Sequence, residues 1–208
     1  MEIKVCGMRE PENIRELIKV IQPDWMGLIF YPKSPRFVSL ENQAWISSLE
    51  VKKVGVFVNE NEEEILRKIQ DFKLSAVQLH GQESPDFVKS LASKTEVELW
   101  KVVSVKEEIE WDRLKEYESL VDKFLFDTAS VSHGGTGRRF DWTYLKTYPF
   151  NKGFLLGGGL EEGIEEEILA LAAEIPTLIG VDLNSKFEVA PGLKNIEKLK
   201  RFKENIRP

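Results

Sequence analysis

The chain has 208 residues, 42% of them hydrophobic and 31% charged, with a formal net charge of −6. That is enough chain for one well-filled domain. The acidic balance and the lack of a Lys/Arg block disfavour nucleic acid as the main partner, because neutralising phosphates takes a basic surface.

A small anion held by backbone amides stays open. No apolar run nears the roughly 20 residues needed to cross a bilayer, so no membrane partner is expected. The opening "MEIKVCG" has no basic segment followed by a long apolar core, so no secretory signal is expected either. One cysteine makes no internal disulfide, which suits a reducing cytoplasm.

The first element in chain order is the β-type run "EIKVC", followed by "EPENIRELIKVI", where Ile14, Leu17, Ile18 and Ile21 form one helical stripe. "WMGLIF" and "KVGVFV" come next, separated by the weaker helical pattern "ENQAWISSLE". "NENEEEILRKIQDF" carries Ile65, Leu66, Ile69 and Phe72 on one face, with acids in the first turn where the helix dipole favours them. "SAVQLH" leads into "ESPDFVKSLASK", with Ser84 as N-cap and Pro85 at the first helical position.

"VELWKVV" and "KFLFD" are the fifth and sixth strands, and "DWTYLKTY" is a second weak helix. "GFLLG", the helix "EEGIEEEILALAAE", "TLIGVD" and the helix "GLKNIEKLKRFKEN" complete the chain. The β-type runs are rich in Val, Ile, Leu and Phe, as strands buried on both faces should be.

Eight strand–helix units in succession, with no long linker, predict one α/β domain over residues 1–208, a compact (β/α)8 barrel. An open doubly wound sheet usually has fewer units and a glycine fingerprint after its first strand. "CGMRE" offers one glycine, so a dinucleotide fold is not expected.

In such a barrel the active site lies at the C-terminal ends of the strands. That rule selects Cys6, the loop from Tyr31 to Arg36, Asn59, His80, Asp127, Gly157 to Gly159, and Asp182 with Asn184 and Ser185. Cys6 and Asp127, on strands one and six, are expected half a barrel apart, facing each other across the mouth. Two proton-transfer groups on opposite sides of a bound sugar suit an aldose–ketose isomerisation. The plainer reading of a lone cysteine is a small buried filler; the strand-end position and the following Gly7 favour chemistry.

The glycines of "LLGGGL" after strand seven let backbone N–H groups approach an oxyanion, and "VDLNSKFEVAPG" after strand eight adds small polar residues. Together they predict a phosphate site where such barrels often have one. His80 reads as a structural histidine or a proton shuttle. His133, in the glycine-rich "SVSHGGTG", reads as a surface residue of a loop that serves either as a cover or as a plain connection.

The stretches "KVCGMRE", "GLIFYPKSPRFV", "VGVFVN", "VQLHGQE", "LFDT" with "GGTGRRFDW", "LLGGGL" and "GVDLNSKFEVAPGLKN" span nearly the whole chain in order. As a set the chain resembles the phosphoribosylanthranilate isomerase family of tryptophan biosynthesis. The resemblance implies a (β/α)8 barrel that uses no cofactor and no metal. It also implies an Amadori rearrangement of a small phosphorylated substrate, N-(5-phosphoribosyl)anthranilate, to 1-(2-carboxyphenylamino)-1-deoxyribulose 5-phosphate.

By motif it makes Cys6 the general base, Asp127 the general acid and Arg36 the residue facing the anthranilate carboxylate. It also makes the loops after strands seven and eight the phosphate site. Lys186 stands where some relatives place glycine, and it either contacts phosphate or points to water. Asp182 matches an aspartate near the substrate.

The roles require both groups to move toward neutrality: burial would raise Asp127, and nearby dipoles would lower Cys6. Two rivals differ at stated positions. A histidine-pathway isomerase would need an aspartate in place of Cys6 and a glycine pair after strands three and four, which "VNENE" and "LHGQE" lack. An inactive barrel kept as a binding module would not need Cys6, Asp127 and Arg36 together. Oligomeric state is not written in the sequence.

Overall fold

The alternation of strand and helix closes into a ring. The structure is a computed structural model and describes residues 1–106, 108–128 and 139–207. The strands are β1 (Glu2–Cys6), β2 (Trp25–Ile29), β3 (Lys53–Phe57), β4 (Ala76–Leu79), β5 (Glu98–Val105), β6 (Lys123–Thr128), β7 (Phe154–Leu156) and β8 (Leu178–Leu183). They pair in sequence order, all parallel, and β8 returns to β1. In this ring β1 and β6 are separated only by β7 and β8, so Cys6 and Asp127 stand three strands apart rather than on opposite walls.

The connecting helices are α1 (Pro11–Glu16), α2 (Gln43–Ser47), α3 (Glu62–Phe72), α4 (Pro85–Ala92), α5 (Trp111–Lys115), α6 (Glu165–Glu174) and α7 (Ile196–Ile206). Ser84 caps α4 as predicted, its side chain accepting from the Phe87 N–H. Asn61 caps α3 and Asn195 caps α7 in the same way. The stripe predicted over the first helix continues past Glu16 as a π-helical turn, Leu17–Ile21, with the Gln22 N–H reaching back to the Leu17 carbonyl. The wider turn keeps Leu17 and Ile21 buried with Ile14. The weak pattern "DWTYLKTY" forms a 3-10 helix, Trp142–Thr147, and a short hairpin, β9 (Glu188–Ala190) with β10 (Leu193–Lys194), follows β8.

Strand alternation divides the core in two. Ile3, Val5, Val181, Leu183 and their equivalents pack outward against the helices. Trp25, Val54, Ala76, Trp100, Val102, Leu125 and Leu155 fill the barrel interior. Strand β8 departs from strict alternation. Opposite β7 its register runs Phe154↔Leu178, then Leu155↔Gly180, so Ile179 and Gly180 together occupy the single step of Leu155. The bulge leaves Ile179 against the interior cluster, turns Val181 outward, and aims Asp182 inward beside Lys4. Gly180 has no room for a side chain: a Cβ there would stand 2.8 Å from the Glu2 carbonyl oxygen.

Candidate active site

The C-terminal ends of the strands surround a cavity of about 250 Å³. Cys6, Arg36, His80, Asp127, Gly158, Gly159, Asp182, Asn184, Ser185 and Lys186 all line it. Gly157 does not. Its N–H donates to the Phe126 carbonyl at 2.7 Å, so it belongs to the barrel ladder behind the cavity wall. His133 lies outside the described residues.

Cys6 is buried, and its thiol packs over Gly27: a Cβ at that glycine would stand 2.7 Å from Sγ. Gly7 turns the chain sharply after the thiol with φ 77°, a conformation that disfavours any side chain. Arg36 Cδ and Asn184 Oδ1 press on the place where a Cβ would sit, at 2.6 and 2.8 Å. The glycine after the cysteine is thus where the loops following β2 and β8 converge on β1.

Burial pushes the Cys6 thiol above its ordinary value; Lys4 and Lys194 pull it down and Asp182 adds to the rise. This corrects the expectation of a lowered thiol, because desolvation of the anion outweighs the nearby cations.

Asp127 ends the inward face of β6, with its carboxylate 3.6 Å from His80 Nε2. Its pKa is pushed up to about 7, first by burial and then by the negative charge of Asp182, against a backbone hydrogen bond from Thr128 and the charge of Lys4. Here the expected direction holds. Gly158, at φ 80°, lies against this residue: a Cβ would meet Thr128 N at 2.4 Å and Asp127 Oδ1 at 2.9 Å. Part of the glycine triplet therefore makes room for the acid.

Arg36 is aimed by successive turns. The Ser34 N–H donates to the Tyr31 carbonyl, the Phe37 N–H to the Ser34 carbonyl, and the Arg36 N–H to Ser34 Oγ. Its guanidinium is already held along one edge: Nε donates to Glu188 Oε1 at 2.9 Å and Nη2 to Glu188 Oε2 at 2.6 Å. Glu188 also accepts from Lys194 Nζ at 2.6 Å, and Lys194 donates to Asn184 Oδ1 at 2.8 Å. Burial lowers the Lys194 pKa to about 8 in spite of Glu188. Asn13 fixes the Lys194 backbone, accepting from its N–H and donating to its carbonyl. Lys186 pairs with Glu161 at 3.3 Å.

Sequence reasoning missed Lys4, Glu188 and Lys194. Lys4 was legible: it lies two residues before Cys6 on a strand buried on both faces, so the two share the inward side. Glu188 sits in a stretch read only as a phosphate loop and Lys194 at the start of one read as the last helix, and nothing in their spacing marks their pairing. Among the described residues no three His, Cys, Asp or Glu side chains are grouped to hold a metal ion. No helix among them is long and apolar enough to cross a membrane.

A parallel eight-stranded barrel whose mouth gathers a thiol, a carboxyl poised near neutrality and an arginine defines a class, the (β/α)8 enzymes with their site at the strand ends. Within that class the chain is placed by its relatives. A model of the N-(5'-phosphoribosyl)anthranilate isomerase family matches residues 3–205, and the chain belongs to this family.

It is 45% identical to the N-(5'-phosphoribosyl)anthranilate isomerase of Parabacteroides distasonis over 99% of this chain and 93% of that protein. The crystal structure of phosphoribosyl anthranilate isomerase from Thermotoga maritima superposes with a TM-score of 0.85 at 32% identity, covering 100% of this chain and 98% of that one. An isomerase solved in complex with reduced 1-(o-carboxyphenylamino)-1-deoxyribulose 5-phosphate gives 0.82 at 31% identity, over 100% and 98% of the two chains. The histidine-pathway alternative falls with this assignment.

Proposed function

We propose that this one-domain barrel catalyses the Amadori rearrangement of N-(5-phosphoribosyl)anthranilate to 1-(2-carboxyphenylamino)-1-deoxyribulose 5-phosphate, in the cytoplasm and without a cofactor. The observation that carries this reading is the meeting of Cys6, Asp127 and Arg36 in one cavity with the loops after β7 and β8. Asp127, half protonated near pH 7, gives its proton to the furanose ring oxygen as the C1–O bond breaks, and the nitrogen lone pair forms an iminium. Cys6 as thiolate takes the proton from C2, and the released electron pair forms an enolamine that tautomerises to the ketone.

The raised thiol makes the reacting arrangement, thiolate with carboxylic acid, a minority form of the free protein. The iminium next to the thiol supplies the positive charge that favours it once the ring has opened.

Glu188 holds one edge of Arg36, which leaves Nη1 for the aryl carboxylate. Gly158, Gly159, Asn184 and Ser185 line the cavity on the side of the loops after β7 and β8, which supports reading them as the phosphate site, with Lys186 beside them. The test is loss of phosphoribosylanthranilate fluorescence on adding purified protein. Wild type consumes the freshly made substrate and Cys6→Ala does not. A folded wild type that leaves the fluorescence unchanged is the inactive-barrel outcome and overturns the proposal.

A further inference from the structure

Lys4 is the deepest charge in the barrel. It has no exposed surface, faces inward from the middle of β1, and its Nζ donates to Asp182 Oδ1 at 2.8 Å. Taking an ammonium out of water costs several kcal/mol, and one carboxylate recovers that only with good geometry and further hydrogen bonds. An apolar residue would fill the same space more simply, so the charge calls for a use beyond packing. Cys6 lies two residues on along the same inward face of the strand, where the charge of Lys4 acts on its thiol.

We infer that Lys4 is a positioning residue for proton transfer: clamped by Asp182 on the inward face that it shares with Cys6, its ammonium is the buried cation against which the Cys6 sulfur becomes a thiolate. The inference rests on the assignment of Cys6 as base in the proposed function. The groups acting on Cys6 come from every side of the site. Lys4 lies on β1, Asp182 on β8, Lys194 on β10 and Arg36 in the loop after β2.

Arg36 and Lys194 share the carboxylate of Glu188, which offsets both. Lys4 is the first of the cations in effect on the thiol, and its carboxylate partner Asp182 holds it on the inward side of the barrel. Asp127 faces His80 from β4, Asp182 from β8 and Lys4 from β1. The Lys4–Asp182 pair thus stands between acid and base and pulls in opposite senses: Asp182 favours protonation of both, Lys4 favours ionisation of both.

These opposite signs make the test specific. Cys6 is the only cysteine in the chain, so alkylation by iodoacetamide, in which the thiolate displaces iodide, reports on it alone. Lys4→Met keeps the length and removes the charge. The pH midpoint of the alkylation rate rises by about 1–3, the usual effect of losing a close opposite charge. Asp182→Asn moves it down.

At neutral pH the kcat/KM of Lys4→Met falls about ten- to a thousandfold, because the thiolate fraction drops tenfold each time the midpoint rises by one on the pH scale. The loss recovers as pH rises. Lys4→Met/Asp182→Asn removes both interior charges, avoids an unpaired carboxylate if Lys4→Met alone does not fold, and brings the midpoint back toward wild type. Superposable alkylation profiles, or midpoints that move the same way in Lys4→Met and Asp182→Asn, overturn the inference. If wild type lacks isomerase activity, the proposed function fails while the alkylation profiles still decide the role of Lys4.

Discussion

The two ends of the barrel use the same residue types to different ends. At the N-terminal end the first residues of β1, β2, β5 and β6 bring together Glu2, Trp25, Glu98 and Lys123, with Trp100 one turn of the pleat above. The Trp25 and Trp100 rings meet edge to face, 4.8 Å apart. Their indole N–H groups donate to Glu2 and Glu98, and Lys123 lies 4.5 and 4.8 Å from the two ring centres while pairing with both carboxylates. Every donor has an acceptor, and the two glutamates keep about a third of their surface in water.

At the mouth, Lys4, Asp182, Asp127 and Cys6 crowd two acids, a thiol and one ammonium into the interior, and burial keeps Asp127 and Cys6 protonated beyond their ordinary range. One end is satisfied and closes the core. The other holds charge imbalance, which is what proton transfer near neutrality uses.

The comparison breaks most sharply with changes at its two extremes. Cys6→Ala and Asp127→Asn each lower kcat by roughly two to four orders of magnitude, the scale of a general base or acid, and leave the thermal midpoint within a few degrees of wild type. Trp100→Ala does the reverse: it costs about 3–5 kcal/mol of stability, measured by denaturant unfolding, with kcat per folded molecule retained. If Trp100→Ala and Cys6→Ala shift the same property, the ends are not separate.

Next in size is Arg36→Met, which keeps the side-chain length, frees Glu188 to pair with Lys194 alone and removes a charged contact worth roughly 1.5–3 kcal/mol. KM rises about tenfold to a hundredfold with a smaller change in kcat. The control is a substrate made with aniline, which wild type handles poorly and the variant handles equally well. A loss equal on both substrates makes Arg36 structural.

The pH profile sharpens the same contrast. Below about pH 7 Asp127 and Cys6 both carry protons, so kcat/KM falls on the acid side with a midpoint near 7. The alkaline limb lies above the ordinary thiol range, because burial raises Cys6. Between the limbs the pair shares one proton, and the two midpoints belong to the pair. Asp127→Asn lifts the need for a protonated acid, so its residual activity loses the alkaline limb and simply rises with pH as Cys6 ionises.

The smallest effect is at the floor. Lys123→Met gives up two cation–π contacts and two half-buried ion pairs, about 1–2 kcal/mol of stability, and leaves both limbs where they were. A displaced limb in Lys123→Met would mean that the floor tunes the mouth.

The fold was legible because parallel strands buried on both faces read as unbroken apolar runs. "EIKVC" coincides with β1, and the other seven runs overlap their strands closely. The strand-end rule then brought Cys6, Asp127, His80 and Asp182 to the cavity.

What stayed hidden depends on tertiary placement. The π-helical turn after Glu16 keeps a helical stripe in sequence and differs only in its hydrogen bonding. Glu188 and Lys194 gain their meaning from the hairpin that folds β9 and β10 under Arg36 and Asn184. The rise of the thiol followed burial, and "KVCG" alone does not say how much water reaches its sulfur.

The bulge in β8 acts as a parity switch on the site. Counting along β8 with strict alternation from Ile179, which faces in, Val181 would face in and Asp182 out. The extra step at Ile179–Gly180 inverts that count for the rest of the strand. The bulge, rather than any substitution, decides whether an aspartate or a valine meets Lys4. A β8 of the same length without the bulge would seal the interior with the Val181 side chain and turn the carboxylate toward the helices, whereas deleting Gly180 would remove the extra step and leave Asp182 facing in. The chemistry of this barrel therefore hangs on the hydrogen-bond register of one strand as much as on the identity of its residues.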